Sequence, residues 1–64
     1  MGKTKLKNIR TEILHLSQEE LAHKLGITTA AWASKERYVR PLKAVELIEI
    51  ARLASLDPRE IELN

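Results

Sequence analysis

The sequence predicts an all-α fold, a compact bundle of about five short helices. Apolar residues recur at three- and four-residue spacing along much of the chain, which is the period of a helix with one buried face. Capping residues, glycine and proline divide the chain at short intervals, and no alternating β-branched run indicates a strand. The 64 residues include no cysteine, so we expect one domain, 1–64, with a single modest core and no disulfide.

The first predicted helix runs from about Thr4 to Leu14. Leu6, Ile9 and Ile13, with Leu14, share one face of such a helix. We therefore expect these apolar side chains to be buried against the rest of the bundle.

The second predicted helix begins after Ser17 and ends at Gly26. The Ser17 hydroxyl is expected to accept from the backbone of Glu20, while the Glu20 carboxylate accepts from the backbone of Ser17, which is a capping box. Gly26 is suited to end the helix because glycine adopts positive φ at low cost. The apolar face of this helix is narrow and consists of Leu21, Ala22 and Leu25.

A third helix is predicted from about Thr29 to Lys35 or slightly beyond, with Thr28 as its N-cap. Ile27 follows Gly26 and is expected to pack under the turn. Ala22 is small at the point where the third helix must cross the second closely. Two capped helices joined by a short glycine turn are typical of a helix-turn-helix.

Two further helices are predicted in the last third of the chain. Pro41 suits the first turn of a helix, so the fourth helix is placed from about Leu42 to Ala54. Its inward-facing residues are expected to be Ala44, Leu47, Ile48, Ala51 and either Leu53 or Ala54. Asp57 and Pro58 form an N-cap and first-turn pair that begins a last short helix, which ends at about Leu63.

Several segments of the chain together match one family of DNA-binding domains. They are Leu16–Ala22, Lys24–Thr28, Glu36, Ile50–Ala54 and Leu56–Ile61. In these segments, and in its size, the chain resembles the Cro/C1-type domains of bacteria and phages, also called lambda-repressor-like or XRE domains. The resemblance covers nearly the whole chain. It implies a lambda-repressor-like five-helix fold, double-stranded DNA as the partner, and a role as a transcriptional regulator, with repression as the expected outcome.

The resemblance also implies how such a protein acts. Similar domains usually bind two half-sites as homodimers about one helical turn apart. Here we expect a weak or DNA-dependent homodimer, formed through Leu56–Leu63 or Trp32–Val39. A cytoplasmic location is expected, with no cofactor, metal ion or small-molecule ligand, and no apolar run is long enough to span a membrane.

The expected DNA contacts follow from how a helix-turn-helix docks, with its second helix in the major groove and its first across the backbone. The base-reading candidates are Gln18, Thr28, Thr29, Ala30, Ala33 and Ser34. The phosphate-binding candidates, in part from the resemblance, are Ser17, Lys35, Arg37, Arg40 and Lys43. The third predicted helix, which is the second of the motif, offers no Arg, Asn or Gln for reading bases. DNA shape, phosphate contacts or water are therefore expected to carry much of the selectivity. The simpler interpretation of Ser17, Gln18 and Thr28 is that they only cap helices.

Other residues of the motif are assigned structural roles. Ala22 and Gly26 shape the turn, and Trp32, where the family has a smaller aliphatic residue, is expected to pack in the core. By the resemblance, Arg10 is expected to pair with Glu36 at the edge of the core. The chain has one residue more than the family between Arg10 and the start of the second helix.

Two positions depart from the family pattern. Lys35 falls where the family usually has an apolar residue, and Tyr38 stands near its usual glycine. One alternative is that the third helix continues through Tyr38 and exposes Trp32 and Tyr38 at a protein interface. A protein-binding regulatory module, such as an anti-repressor or antitoxin-like partner, is accordingly the second functional interpretation.

The distribution of charge favours the DNA-binding interpretation. The net charge is only +2, but residues 1–10 carry four cations and no acid, and residues 35–43 carry four cations against one acid. Residues 44–64 carry five acids against two cations. A basic end suits phosphates, and the weaker alternative is that these are solvated loop and tail charges. An enzyme is not expected, because the sequence shows no nucleophile with a base and an orienting group. The chain has only two glycines, Gly2 and Gly26, and they are too far apart to form a phosphate-binding glycine loop.

Overall fold

Four helices lie in the part of the chain that the computed structural model describes, residues 2–64. The first, α1, consists of the α-helical turn Leu6–Asn8 continued by a π-helical segment, Ile9–Ile13. The other three are α2, Gln18–Leu25, α3, Thr29–Glu36, and α4, Ala44–Ala54. The described residues form no strand, so the expected all-α class is confirmed. None of their helices is long and apolar enough to cross a membrane.

The π-helical segment changes which residues of α1 face the core. Leu14 N donates a hydrogen bond to Ile9 O over 2.9 Å, a step of five residues. A turn closed in this way holds one residue more than an α-helical turn, so Leu14 instead of Ile13 packs below Ile9. Ile13 is 40% exposed, and the prediction that it is buried was wrong.

α4 begins two residues later than predicted. Pro41 and Leu42 precede the helix, although Leu42 still packs against the core. The first turn is capped by Glu46, whose Oε1 accepts a hydrogen bond from Lys43 N over 2.8 Å. The helix therefore starts where a carboxylate satisfies its first backbone donor, and not at the proline.

The buried face of α4 is rotated from the predicted one. The expected residues that do pack in or against the core are Leu47, Ala51, Leu53 and Ala54. Ile48, however, is 61% exposed, Ala44 is exposed as well, and Ile50 is buried instead. The apolar pattern could not show this rotation, because the inward position one turn before Ile50 is occupied by Glu46, which such a pattern places outside.

A single 3₁₀ turn, Pro58–Glu60, stands where a helix as far as Leu63 was predicted. Asp57 caps it as expected, and its Oδ1 accepts a hydrogen bond from Arg59 N over 2.8 Å. The turn does not lengthen into a helix because the backbone that follows bonds to the N-terminal segment.

The segment after the 3₁₀ turn forms an isolated parallel bridge with the N-terminal segment, between Thr4 and Ile61. Thr4 N donates to Glu60 O and Glu62 N donates to Thr4 O, each over 2.8 Å. Thr4 is therefore extended, and its predicted place in the first helix was wrong.

The core collects apolar side chains from all four helices and from the segment after them. Its buried members are Leu6, Ile9, Leu21, Ala22, Trp32, Ile50, Ala51, Ala54 and Ile61. Trp32 is the largest and is 0% exposed, as the packing interpretation predicted. The alternative in which Trp32 is exposed at a protein interface is wrong.

Gly26 provides a test of the turn between α2 and α3. Its φ is +72°, and a Cβ at this position would meet no atom within 4 Å, so alanine strains the backbone without a clash. Gly26→Ala should therefore lower the free energy of unfolding by about 1 kcal/mol, measured by urea denaturation. Gly2→Ala is the matched control, because Gly2 also has open space but no positive φ. Equal effects of the two substitutions would contradict the role of the turn.

Candidate nucleic-acid interface

α2 begins and ends as the sequence predicts. Ser17 Oγ accepts from Glu20 N over 3.0 Å and Glu20 Oε1 accepts from Ser17 N over 2.8 Å, which completes the capping box. The bonds from the Ser17 backbone and then from its side chain lower the pKa of Glu20 below its ordinary value. At the other end Gly26 is left-handed, and Ile27 N donates to Ala22 O over 3.0 Å, so the chain turns toward α3.

The start of α3 lies on the surface. Thr28 Oγ1 accepts from Ala31 N over 3.1 Å, as expected of an N-cap, and Thr28, Thr29 and Ala30 are exposed. The Thr28 hydroxyl acts as an acceptor in this bond, so its proton can still be donated to another group. The two base-reading candidates one turn further on are less accessible, since both are half-buried: Ala33 and Ser34.

A carboxylate at the end of α3 joins this helix to α1 and α2. Glu36 Oε1 accepts hydrogen bonds from Arg10 Nε over 2.6 Å and from Trp32 Nε1 over 3.1 Å. Glu36 Oε2 accepts one from Gln18 Nε2 over 2.9 Å. Arg10 also donates from Nη1 to Leu16 O over 2.9 Å. The pair of Arg10 with Glu36 that the resemblance implies is present, with two partners that the sequence did not indicate.

These bonds affect both Glu36 and Gln18. Burial by itself raises the pKa of the Glu36 carboxyl. Hydrogen bonds from Arg10 and Gln18, the charge of Arg10 and the bond from Trp32 outweigh burial and hold the pKa below its ordinary value of 4.5. Gln18 is half-buried and its amide nitrogen is engaged with Glu36. Gln18 therefore positions α2 against α3, whatever else it contacts.

A second ion pair links α3 to α4. Lys35 Nζ lies 2.6 Å from both carboxylate oxygens of Glu46, and Lys35 is only 7% exposed. Burial raises the pKa of Glu46, but the bonds from Lys35 and from the Lys43 backbone, with both lysine charges, bring it below its ordinary value. Lys35 was predicted to contact phosphate, and that assignment was wrong because its ammonium is enclosed and paired inside the protein.

Stability should fall in acid because of Glu36 and Glu46. The pKa of each carboxyl is lower in the folded protein than its ordinary value of 4.5. Below that value the unfolded chain therefore binds protons that the folded protein does not. The free energy of unfolding should decrease as the pH falls through 4.5 and go on decreasing until the folded carboxyls are protonated. Urea titrations followed by Trp32 fluorescence measure this, and a midpoint unchanged between neutral pH and about pH 3 would contradict it.

The loop between α3 and α4, residues 37–43, carries cations at the surface. They are Arg37, Arg40 and Lys43, all exposed, and none has an ion-pair partner in residues 2–64. The exposed arginines nearer the C-terminus differ in being paired, Arg52 with Glu49 and Arg59 with Asp57. The loop is therefore a basic surface whose cations form no ion pair within the described chain, although the charge of Lys43 acts on Glu46.

Tyr38 holds this loop in a way that the sequence did not indicate. Its φ is +61°, a left-handed backbone conformation that glycine tolerates more easily than a residue with a Cβ. The Tyr38 hydroxyl accepts a hydrogen bond from Leu6 N over 3.2 Å and donates one to Glu62 O over 2.8 Å. α3 therefore ends at Glu36 and does not continue through an exposed Tyr38, so that alternative was wrong. The partners of the hydroxyl are 32 and 24 residues away in sequence, and no local signal predicts them.

Comparison with models of known protein families, with curated proteins and with solved structures gave no match. Within residues 2–64, no group of three or more His, Cys, Asp or Glu side chains is placed to hold a metal ion. The start of the short helix α3 is exposed, and the loop 37–43 after its C-terminal end carries three exposed cations. The function is inferred from this geometry.

Proposed function

We propose that this protein is a sequence-specific regulator that binds double-stranded DNA, of the Cro/C1 type and of bacterial or phage origin. The observation that carries the proposal is the loop 37–43, whose three exposed cations have no acidic partner in residues 2–64. Such cations are available to DNA phosphates. α2 and α3 then form a helix-turn-helix, and the 3₁₀ turn Pro58–Glu60 takes the place of the fifth helix of a lambda-repressor-like fold.

In this proposal Thr28, Thr29 and Ala30 are the principal base-reading residues, since all three are exposed. Threonine can donate, accept or contact a thymine methyl group, whereas alanine offers apolar contact only. The remaining candidates on this face contribute less because they are half-buried: Gln18, Ala33 and Ser34. Direct contacts to bases are therefore few, and DNA shape and bridging water supply the rest of the selectivity.

Phosphate binding falls to Arg37, Arg40 and Lys43, assisted by Ser17 at the start of α2. The Ser17 hydroxyl accepts a bond from Glu20 N, and its proton, which also faces the Glu20 carboxylate, can turn to a phosphate oxygen when DNA is bound. Phosphate contacts of this kind set the position of a protein on DNA, while base contacts select the site. The loop cations therefore orient α3 in the groove.

Regulation by such a protein is steric. Bound at an operator, it excludes RNA polymerase from the promoter and so represses transcription. Two copies would occupy half-sites about one helical turn apart, and they associate weakly or only on DNA. The protein acts in the cytoplasm, where the DNA is, and needs no cofactor.

A titration with random-sequence duplex DNA at low salt, followed by NMR amide shifts, tests the proposal without knowledge of the operator. Shifts should concentrate on residues 28–34 and 37–43. Residues 49–59, in the more acidic part of the chain, serve as the internal reference and should shift little. An unchanged spectrum of the folded protein at low salt would overturn the proposal.

A protein-binding regulatory module is the second candidate, and apolar side chains at the surface favour it. Val45 and Ile48 on α4 are 71% and 61% exposed. Val39 and Leu63 line a groove of about 430 Å³ between the loop and the C-terminal segment. Salt separates the two candidates, because phosphate-mediated affinity falls steeply as salt rises, whereas a partner bound through these apolar side chains should be nearly insensitive to it.

A further inference from the structure

The loop 37–43 is held at both ends by contacts with other parts of the fold. On the α3 side, Tyr38 N donates to Lys35 O over 3.0 Å, and the Tyr38 ring reaches across to the terminal segments. On the α4 side, Glu46 receives both the Lys35 ammonium and the Lys43 backbone N–H. The three cations therefore project from a segment of backbone fixed at each end.

The Tyr38 anchor joins three segments through one oxygen atom. Its hydroxyl accepts from Leu6 N at the start of α1 over 3.2 Å and donates to Glu62 O over 2.8 Å. Because Tyr38 lies between Arg37 and Arg40 in the chain, holding its ring holds the backbone from which both guanidinium groups extend. Main-chain bonds tie the same turn to α3, since Val39 N and Arg40 N donate to Ser34 O over 2.9 and 3.3 Å. The hydroxyl adds the bonds that fix this turn against the two terminal segments.

The loop combines a left-handed residue, a feature that His15 and Ser55 share elsewhere in the chain, with a cluster of like charges. A left-handed backbone is unfavourable for a residue with a Cβ, and Tyr38 adopts it with a φ of +61°. Like charges within a short segment repel one another. Unfavourable features of this kind tend to cluster at functional sites. The compensating gain is that a loop backbone already held in place loses less conformational freedom when its cations bind a ligand.

We propose that Tyr38 is a positioning residue for phosphate binding. Its hydroxyl, fixed by Leu6 and Glu62, sets Arg37 and Arg40 for the DNA backbone before DNA binds. This inference rests on the proposed function, since it assigns a group that acts through the two arginines at the same surface.

Tyr38→Phe removes the hydroxyl and keeps the ring. Affinity for a random-sequence duplex is measured at low salt, at a temperature at which NMR shows each protein to be fully folded. Y38F should bind roughly three- to tenfold more weakly, because the backbone that carries the two arginines must then be ordered on binding. Thr11→Val is the matched control. It removes a hydroxyl that donates only to Lys7 O, over 2.9 Å within α1, so the affinity for the duplex should stay unchanged.

A double-mutant cycle separates positioning from a merely structural role. In an Arg37→Gln, Arg40→Gln background, Y38F should change the affinity by less than about twofold, because the groups through which Tyr38 acts are gone. The same loss in both backgrounds would overturn the inference. The inference would also be overturned if Y38F is folded and binds the duplex as tightly as the unmodified protein.

The outcomes also distinguish this inference from the proposed function. If the unmodified protein does not bind the duplex, both fail; if it binds and Y38F binds equally, only the inference fails. If Y38F does not fold, the amide heteronuclear NOE of residues 37–40 in the unmodified protein decides whether the loop is ordered before DNA binds. Values equal to those of α3 support a preformed loop, and values as low as those of the chain ends overturn it.

Discussion

Glu36→Gln should lower the free energy of unfolding by about 3 kcal/mol or more. The Glu36 carboxylate accepts hydrogen bonds from Arg10, Trp32 and Gln18, and the Arg10 side chain is only 11% exposed. Without the carboxylate the guanidinium keeps its charge where little water reaches it, and a buried N–H donor loses its acceptor. A domain of this length is typically stable by roughly 3–10 kcal/mol, so this loss is a large part of the total.

Urea denaturation followed by circular dichroism measures this change. Glu49→Gln is the matched control, because it makes the same chemical change in a carboxylate that pairs with Arg52 at the surface. Exposed pairs contribute little to stability, so the control should leave the midpoint almost unchanged. Equal shifts from the two substitutions would show that the bonds at Glu36 do not hold α1, α2 and α3 together.

Arg37→Gln combined with Arg40→Gln should have the largest effect on DNA binding. Each phosphate contact contributes about 0.9 to the slope of log Kobs against log salt, so the double variant should lose roughly 1.8 of that slope. Binding at low salt should weaken as well. Fluorescence anisotropy of a labelled random-sequence duplex, titrated at several salt concentrations, measures both quantities.

The control for this pair is Arg52→Gln combined with Arg59→Gln. It removes the same net charge, but both arginines are exposed and paired, with Glu49 and Asp57. A slope that stays close to that of the unmodified protein is expected. If the salt-dependence slope falls by the same amount in both double variants, DNA is attracted by the total charge of the protein, and the loop 37–43 is not the binding surface.

The helix ends are the part of the fold that the sequence predicts best. Ser17 and Glu20 form the expected capping box, Gly26 takes positive φ, and Thr28 caps α3. Each of these interactions joins residues within four positions of one another. Their energies therefore depend on local geometry alone and can be inferred before any tertiary contact is known.

The faces of helices were predicted less well. Ile13 and Ile48 were expected inside and are largely exposed, whereas Ile50 is buried. In α1 the cause is a π-helical turn, which adds one residue to the spacing. In α4 the cause is Glu46, a charged residue that lies inward because it pairs with Lys35. Apolar periodicity assumes a regular helix with charges outside, and both assumptions fail here.

The candidate interface was only partly predictable. Exposure of Thr28, Thr29 and Ala30 follows from a short capped helix with a small apolar face. Lys35, in contrast, is a cation in a basic stretch, and nothing local distinguishes it from Arg37. Only the position of Glu46, eleven residues further on, removes Lys35 from the surface.

The sequence by itself determined approximately where the four helices lie and how two of them, α2 and α3, begin, because caps and turns are interactions between near neighbours. The tertiary structure alone decided which charges are available to a ligand. Arg10 and Lys35 are committed to Glu36 and Glu46, and Tyr38 sets the loop through contacts with both ends of the described chain. Pairing of this kind depends on the distance between residues in space, which spacing along the chain does not reveal.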